Sequence, residues 1–279
     1  MTDAGREPGD GSLAAPATAP MRDVDAPLLA VVLALGPLDE ASVRAACLDA
    51  WDTKQGELTL EVFEAPWDDE RPREVGVAPL ALERAAAQPH LWPAGASLAR
   101  RHRCHVRLRV RTTEQDTLAA LAALCDVARA VLAEPNATAV FFPRGEALRD
   151  GNVLGAITAG AREQGALPLQ AWTNGRLADP GEGWNIADIV GLGQVGAPDQ
   201  EAAFPVGLAP SFEVLGFLYD LAHHLVAEGG TFEDGLTLDG PGGKRWMARR
   251  VLAPLVEPER PCVRWLPLGL TNVPEALLR

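Results

Sequence analysis

The stretch CHVRLRVRTTEQDTLAALAALCDVARAVLAEPNATAVFFP, residues 104–143, decides the fold of this chain. Cys104, Val106, Leu108 and Val110 alternate with His105, Arg107, Arg109 and Arg111, the period-two pattern of a strand with one apolar and one cationic face. Thr112 and Thr113 then offer a hydroxyl cap, with Asp116 standing where a capping box usually has Glu or Gln, so a helix is expected to start there. Leu118, Leu121, Cys125, Ala128 and Leu132 recur at helical spacing, and Leu124, Val127 and Val131 widen that stripe. This should be the most buried helix. Pro135-Asn136 ends it, and the apolar run from Ala137 to Phe142 predicts a strand covered on both faces, inside a sheet.

Working outward, Leu28 to Leu35 reads as an apolar strand, Pro37 and Asp39 open a helix to about Trp51, and Leu58 to Glu64 alternates as a second strand. A polar loop begins at Trp67-Asp68-Asp69-Glu70. Val75 to Leu82 reads as a further strand and Ala94 to Arg101 as a short helix. The first half is then β-α-β-β-β-α-β, close to a ferredoxin-like sandwich with its helices on one sheet face. Beyond it, Gly151 to Gln164 predicts a helix and Leu169 to Thr173 a strand closed by the turn signal Asn174-Gly175, before a Gly- and Pro-rich segment. Pro210 to Glu228 is a helix with a core stripe through Leu215, Leu218, Tyr219, Ala222, Leu225 and Val226, closed by Gly229-Gly230. Phe232 to Leu238 and Arg245 to Leu252 predict a hairpin, and Val263 to Leu266 a last strand. The expected class is α+β, a mixed or antiparallel sheet with helices packed on it. The expected division is a flexible tail at 1–26, a ferredoxin-like half at 27–143, and a second α+β half at 144–279, packed against the first or continuous with it.

The chain has 279 residues, 47% of them apolar, ample for a core. Its net charge of -13 repels phosphate backbones and acidic membranes, which argues against nucleic-acid and membrane partners. Cys47, Cys104, Cys125 and Cys262 are widely spaced, and Cys104 and Cys125 fall at apolar positions of predicted elements, which suits a reducing compartment. The start lacks the basic and apolar regions of a signal peptide, and no run approaches the roughly 20 apolar residues that cross a bilayer. A cytoplasmic protein is expected.

Motifs with chemistry are few. Gly191-Leu192-Gly193-Gln194-Val195-Gly196 fits G-x-G-x-x-G, but Ala197-Pro198-Asp199 opposes the helix a dinucleotide site needs, so a connection permitting close backbone approach is expected, with no cofactor. Gly240-Pro241-Gly242-Gly243-Lys244 lacks the spacing and the hydroxyl of a phosphate loop and reads as a hairpin turn, and Gly95-Ala96-Ser97-Leu98-Ala99 lacks the second glycine of a nucleophile elbow. Asp220, His224 and Glu228 share one helix stripe and, with Glu201, form the candidate metal site; the same stripe is also an ordinary solvated face. The comb Arg100, Arg101, His102, Arg103, His105, Arg107, Arg109, Arg111 asks for negative neighbours. Cross-strand pairing with Glu57, Glu61 or Glu74 is the favoured account, and docking of an acidic partner on Arg107, Arg109 and Arg111 is the alternative.

Several short segments resemble the bacterial domain-of-unknown-function family 4261: Ala139-Val140-Phe141-Phe142-Pro143, Leu167-Pro168-Leu169-Gln170-Ala171-Trp172, and Gly191-Leu192 followed by Gly196-Ala197-Pro198-Asp199-Gln200-Glu201. Gly229-Gly230 through Asp234-Gly235-Leu236-Thr237 adds to them. The resemblance spans roughly Arg100 to Arg250. Members commonly carry Pro-Glu-x-Glu where this chain has Pro198-Asp199-Gln200-Glu201, so one carboxylate is shortened. It implies an α+β fold and no established activity. The resulting expectation is a non-catalytic cytoplasmic module, an immunity or accessory factor that engages another bacterial protein; the alternative is a metal-assisted hydrolase using Asp220, His224 and Glu201.

Overall fold

The computed structural model describes residues 26–278 apart from 69–76, 89–91, 93, 114, 231, 253 and 272. Residues 1–25, most of the expected tail, therefore lie outside the described residues, as does Glu74. The class is α+β.

The first sheet is built from strands β1 (Leu28–Ala34), β2 (Glu57–Phe63), β3 (Cys104–Arg111), β4 (Ala137–Phe142) and β5 (Ala147–Arg149) in the order β2-β3-β1-β4-β5, with every neighbouring pair antiparallel. Helix α1 (Glu40–Ala50) starts where the Asp39 carboxylate accepts the amides of Ala41 and Ser42. After β2 come the short helices α2 (Ala81–Ala87) and α3 (Gly95–Arg101). The strand expected at Val75 to Leu82 is not there: its first residues lie outside the described set, and Ala81-Leu82 open α2, followed by the strong helix formers Glu83, Arg84 and Ala85 to Ala87. Helix α4 (Thr117–Val131) begins later than the Thr113 cap suggests, because the Thr113 hydroxyl donates to the Asp116 carboxylate instead of capping a backbone amide. Its broad apolar stripe is buried as the spacing requires.

Helices cover both faces of this sheet. Leu28, Ala30 and Val32 with Val106, Leu108 and Val110 share a core with Val43 of α1 and Leu121 and Leu124 of α4, whereas Leu29, Val31, Leu33 and Phe141 pack with Ala81 and Ala85 of α2 and Ala99 of α3. Alternation along β1 and β4 sends successive side chains to opposite cores, so the one-sided helix layer of the expected sandwich is corrected.

Helix α5 (Gly151–Gln164) runs from the Asp150 cap to Gly165, which takes a left-handed φ of 62°. The next two assignments are exchanged relative to the sequence reading. Leu169–Trp172 is a short helix, α6, and Asn174-Gly175, expected as a turn, opens strand β6 (Asn174–Gly181). Strands β7 (Trp184–Val190) and β8 (Asp199–Pro205), helix α7 (Ser211–Glu228), strands β9 (Thr237–Gly240), β10 (Lys244–Val251) and β11 (Cys262–Pro267), and helix α8 (Glu275–Leu278) complete the chain. The second sheet has the order β6-β7-β8-β11-β10-β9, antiparallel except for the parallel pair β8 and β11. Pro241 to Gly243 form the expected turn of the β9–β10 hairpin.

The two sheets share one apolar core. A single buried cluster contains Val110 and Leu124 of the first half and Trp172, Ile189, Leu218 and Trp265 of the second. The backbones also touch: a Cβ on Gly145 would lie 1.8 Å from the Trp172 carbonyl oxygen, and one on Gly191 would lie 2.5 Å from the Gly145 Cα.

Candidate functional site: a buried arginine–carboxylate row

The face of the second sheet turned away from α7 carries a row of charges. Register pairs Arg176 of β6 with Asp188 of β7, Asp188 with Glu201 of β8, Glu201 with Arg264 of β11, and Arg264 with Arg249 of β10. Arg176, Asp188, Glu201 and Arg264 are all buried. On the other face, Ala187, Ile189, Ala202 and Phe204 pack with α7, so strand alternation itself delivers the charged set to one side.

Burial of charge is tolerable only with close opposite charge. Arg176 grips Asp188 with two bonds, Nε to Oδ1 at 2.9 Å and Nη2 to Oδ2 at 2.5 Å, and its Nη1 donates to Glu146 Oε2 at 2.8 Å. Glu146 also accepts from Arg84 of α2 at 2.7 Å, which ties the row to the first sheet. Arg260 continues it, donating to Asp188 Oδ2 at 2.6 Å and to Asp199 Oδ2 at 2.5 Å. The result is an alternating chain Arg84, Glu146, Arg176, Asp188, Arg260, Asp199, in which three guanidinium groups meet three carboxylates. Arg264 and Glu201 form a further pair at 2.7 Å. The segment after β10 closes over the row: Leu255 N donates to Glu201, the carbonyls of Val256, Pro258 and Glu257 accept from Arg260 and Arg176, and the Leu277 carbonyl of α8 accepts from Arg264.

Burial pushes the Glu146, Asp199 and Glu201 carboxyls above their usual range, while their arginines pull them back. Asp188 adds to the rise at Glu201, as two facing carboxylates must. Burial opposes the Arg176 and Arg260 cations, yet their carboxylate partners hold both above the ordinary arginine value. Arg149 differs. Its guanidinium donates to the carbonyls of Leu148, Gln170 and Thr173, at the C-terminal end of α6, and burial lowers its pKa.

The glycine-rich segment lies beside this row. Gly191, at a φ of 114°, and Leu192 both donate their amides to Asp199 Oδ1, at 3.0 and 2.7 Å, so the N–H groups that a pyrophosphate would need are held by a side chain. The candidate metal residues do not converge. Asp220, His224 and Glu228 are exposed on α7, His224 stacks on Phe232, and Glu201 lies on the opposite sheet face, paired to Arg264. Among the described residues no group of three or more His, Cys, Asp or Glu is placed to hold a metal ion. The four cysteines are buried thiols, with Cys47 pushed up to about 12 by burial.

The basic comb divides. His102 and His105 are buried, and His105 stacks on Phe63. Arg107 donates Nε and Nη2 to Glu61 Oε2 at 3.0 and 2.7 Å, lies over the Phe63 ring, and leaves only 12% of its side chain exposed. Arg109 reaches the same carboxylate at 3.3 Å and keeps 30% exposed. Arg111, opposite Glu57, is exposed. Pairing with Glu61 is therefore real.

Residues 188–266 match the family model described as Domain of unknown function (DUF4261). Over that segment, less than a third of its length, the chain is similar to DUF4261. The match starts later than the resemblance at Arg100 and runs on into β11, taking in Asp188, Asp199, Glu201, Arg260 and Arg264. Pro198-Asp199-Gln200-Glu201 of the DUF4261 segment is the start of β8, where Asp199 meets Arg260, Glu201 meets Arg264, and Gln200 Oε1 accepts from the Trp265 indole. No curated protein and no solved structure matches the chain. No helix among the described residues is long and apolar enough to cross a membrane.

Sequence reasoning missed Glu146, Arg176, Asp188 and Arg260. One signal was available: Arg264 stands between Val263 and Trp265 in an apolar strand, and a cation there demands a buried carboxylate.

Proposed function

We propose that this protein is a non-catalytic module that binds another bacterial protein in the cytoplasm, as an immunity or accessory factor does, through the β2–β3 margin of the first sheet. The observation that carries this reading is the edge itself. Among the described residues β2 is hydrogen-bonded to β3 alone, and its other side is open to an added strand. Arg109 and Arg111 stand on that margin with partial exposure, suited to carboxylates on an arriving segment. The charged row of the second sheet supports the non-catalytic part, because its cations and carboxylates are consumed by one another instead of facing a substrate.

The test is affinity capture from a bacterial lysate with the parent chain and with Arg111→Glu, followed by reconstitution with the purified captured protein. The expected result is stoichiometric binding by the parent that weakens with salt and is lost in the variant at unchanged melting temperature. Equal binding by the variant rejects this surface. Arg107 and Arg109 are left out because both reach Glu61, and their reversal is expected to lower stability.

A further inference from the structure

The open edge of β2 continues into an apolar margin. Leu58, Leu60 and Val62 point to the α1 side of the first sheet, where they pack on its core and stay only partly buried. Helix α1 extends that margin outwards. Its Ser42 flank is turned to the residues just beyond α4, where the Ser42 hydroxyl donates to both Glu134 oxygens at 2.8 Å, and its opposite flank carries Leu48 and Trp51. The Trp51 indole donates to the Gly56 carbonyl at 3.3 Å, which sets this flank at the head of β2. Leu48 stands one turn before Trp51 and is 76% exposed. A single exposed leucine is ordinary, but this one lies alongside a strand edge whose own apolar side chains are half-covered.

The other face of the same edge is polar. Glu57 and Thr59 are exposed there, and the exposed Arg111 of β3 stands opposite Glu57. An occupant that suits both faces has unlike chemistry at strand spacing: apolar residues at every second position towards Leu48, Trp51, Leu58 and Leu60, and a carboxylate within reach of Arg111. We propose that the β2 edge receives an extended segment of the partner as a further strand of the first sheet, with alternate residues apolar towards α1 and an acidic residue at the Arg111 end. This rests on the partner-binding reading of that margin and adds the conformation and side-chain pattern of the bound segment. Main-chain bonds to β2 supply affinity, and the stripe on the α1 side fixes the register, because a slip of one residue turns the apolar set to the polar face.

The experiment is fluorescence anisotropy of labelled peptides titrated with the full chain. The probe EVTVTVE is as long as β2 and carries glutamate at both ends, so either strand direction brings a carboxylate to Arg111. It is expected to bind with Kd at or below about 1 mM, and ETVVVTE, which has the same composition without the alternation, and KVTVTVK, which has lysine ends, at least about tenfold more weakly. Leu48→Glu and Arg111→Glu should each weaken EVTVTVE by about fivefold or more; both residues are exposed, so both variants keep the fold. No change in anisotropy up to about 1 mM protein, equal binding of either control peptide, or unchanged affinity in Leu48→Glu overturns the proposal. A concentration-dependent dimer of the parent that Leu48→Glu dissolves assigns the edge to a second copy and likewise overturns it. Lysate capture lost in Arg111→Glu without any peptide binding removes the strand and keeps the margin, whereas capture unchanged in that variant removes both.

Discussion

Asp188→Ala removes the carboxylate on which the guanidinium groups of buried Arg176 and part-buried Arg260 converge. Asp188 accepts from Arg176 at 2.9 and 2.5 Å and from Arg260 at 2.6 Å, and its own side chain is 1% exposed. Without it the alternating chain keeps three cations against Glu146 and Asp199 alone, so one buried positive charge is uncompensated. Breaking a buried pair in this way costs about 3–5 kcal/mol, whereas loss of an exposed pair costs at most about 1 kcal/mol. Burial decides for the larger figure. A stability change of this size lowers the melting temperature by roughly 6–10 °C in a chain of this length. Urea unfolding followed by tryptophan fluorescence measures it, and Asp188→Ala/Arg176→Met, which restores the charge balance, should recover more than half of the loss. A loss below about 1 kcal/mol in the single variant, or no recovery in the double, refutes the argument that charge compensation holds this row together.

Leu121→Asp places a carboxylate in the core between α4 and the first sheet, where Leu121 has no exposed surface, and should abolish the folded far-UV circular dichroism spectrum. Gly145→Ala drives a methyl to 1.8 Å from the Trp172 carbonyl oxygen, and because backbone must yield, a loss of about 2 kcal/mol or more in urea unfolding is expected. Burial lowers the pKa of His105 from 6.5, aided by the neighbouring His102 and Arg107 and opposed by the Ala65 carbonyl, so its NMR titration midpoint should lie below that value. With the folded pKa depressed, the unfolded chain binds the proton more readily below the unfolded pKa. The stability of the parent over His105→Phe should therefore be full above about pH 6.5 and shrink as pH falls through the folded pKa.

The parts of the fold that were legible are those whose local pattern agrees with their tertiary setting. Strand β3 alternates because one face meets α1 and α4, and β4 is a nearly continuous apolar run, broken only by Thr138, because its α5 and α3 sides are both covered. Strand β8 was illegible for the opposite reason. Asp199-Gln200-Glu201 looks like a solvated loop, yet all three are buried and satisfied by Arg260, Trp265 and Arg264, which are more than sixty residues away. A local reading assigns such residues to water because it has no access to the partner that compensates them. Asn174-Gly175 misled similarly: the turn chemistry is genuine, but Gly175 opens β6 where a Cβ would press on Leu215 of α7. At the β3 margin Glu61, one of the expected cross-strand partners, is bonded to Arg107. The division of the arginines into paired and exposed members depends on β2 and on Phe63, which the alternation of β3 does not contain.

The central claim is that the buried row, together with the shared core and the contact of Gly145 with Gly191, makes the two sheets one cooperative structure whose charges serve the fold. Differential scanning calorimetry of the full chain tests it most directly. The account predicts a single transition with equal calorimetric and van't Hoff enthalpies in the parent, shifted as one peak to lower temperature in Asp188→Ala. Two resolved transitions in the parent, or a variant in which only one of two peaks moves, would contradict it.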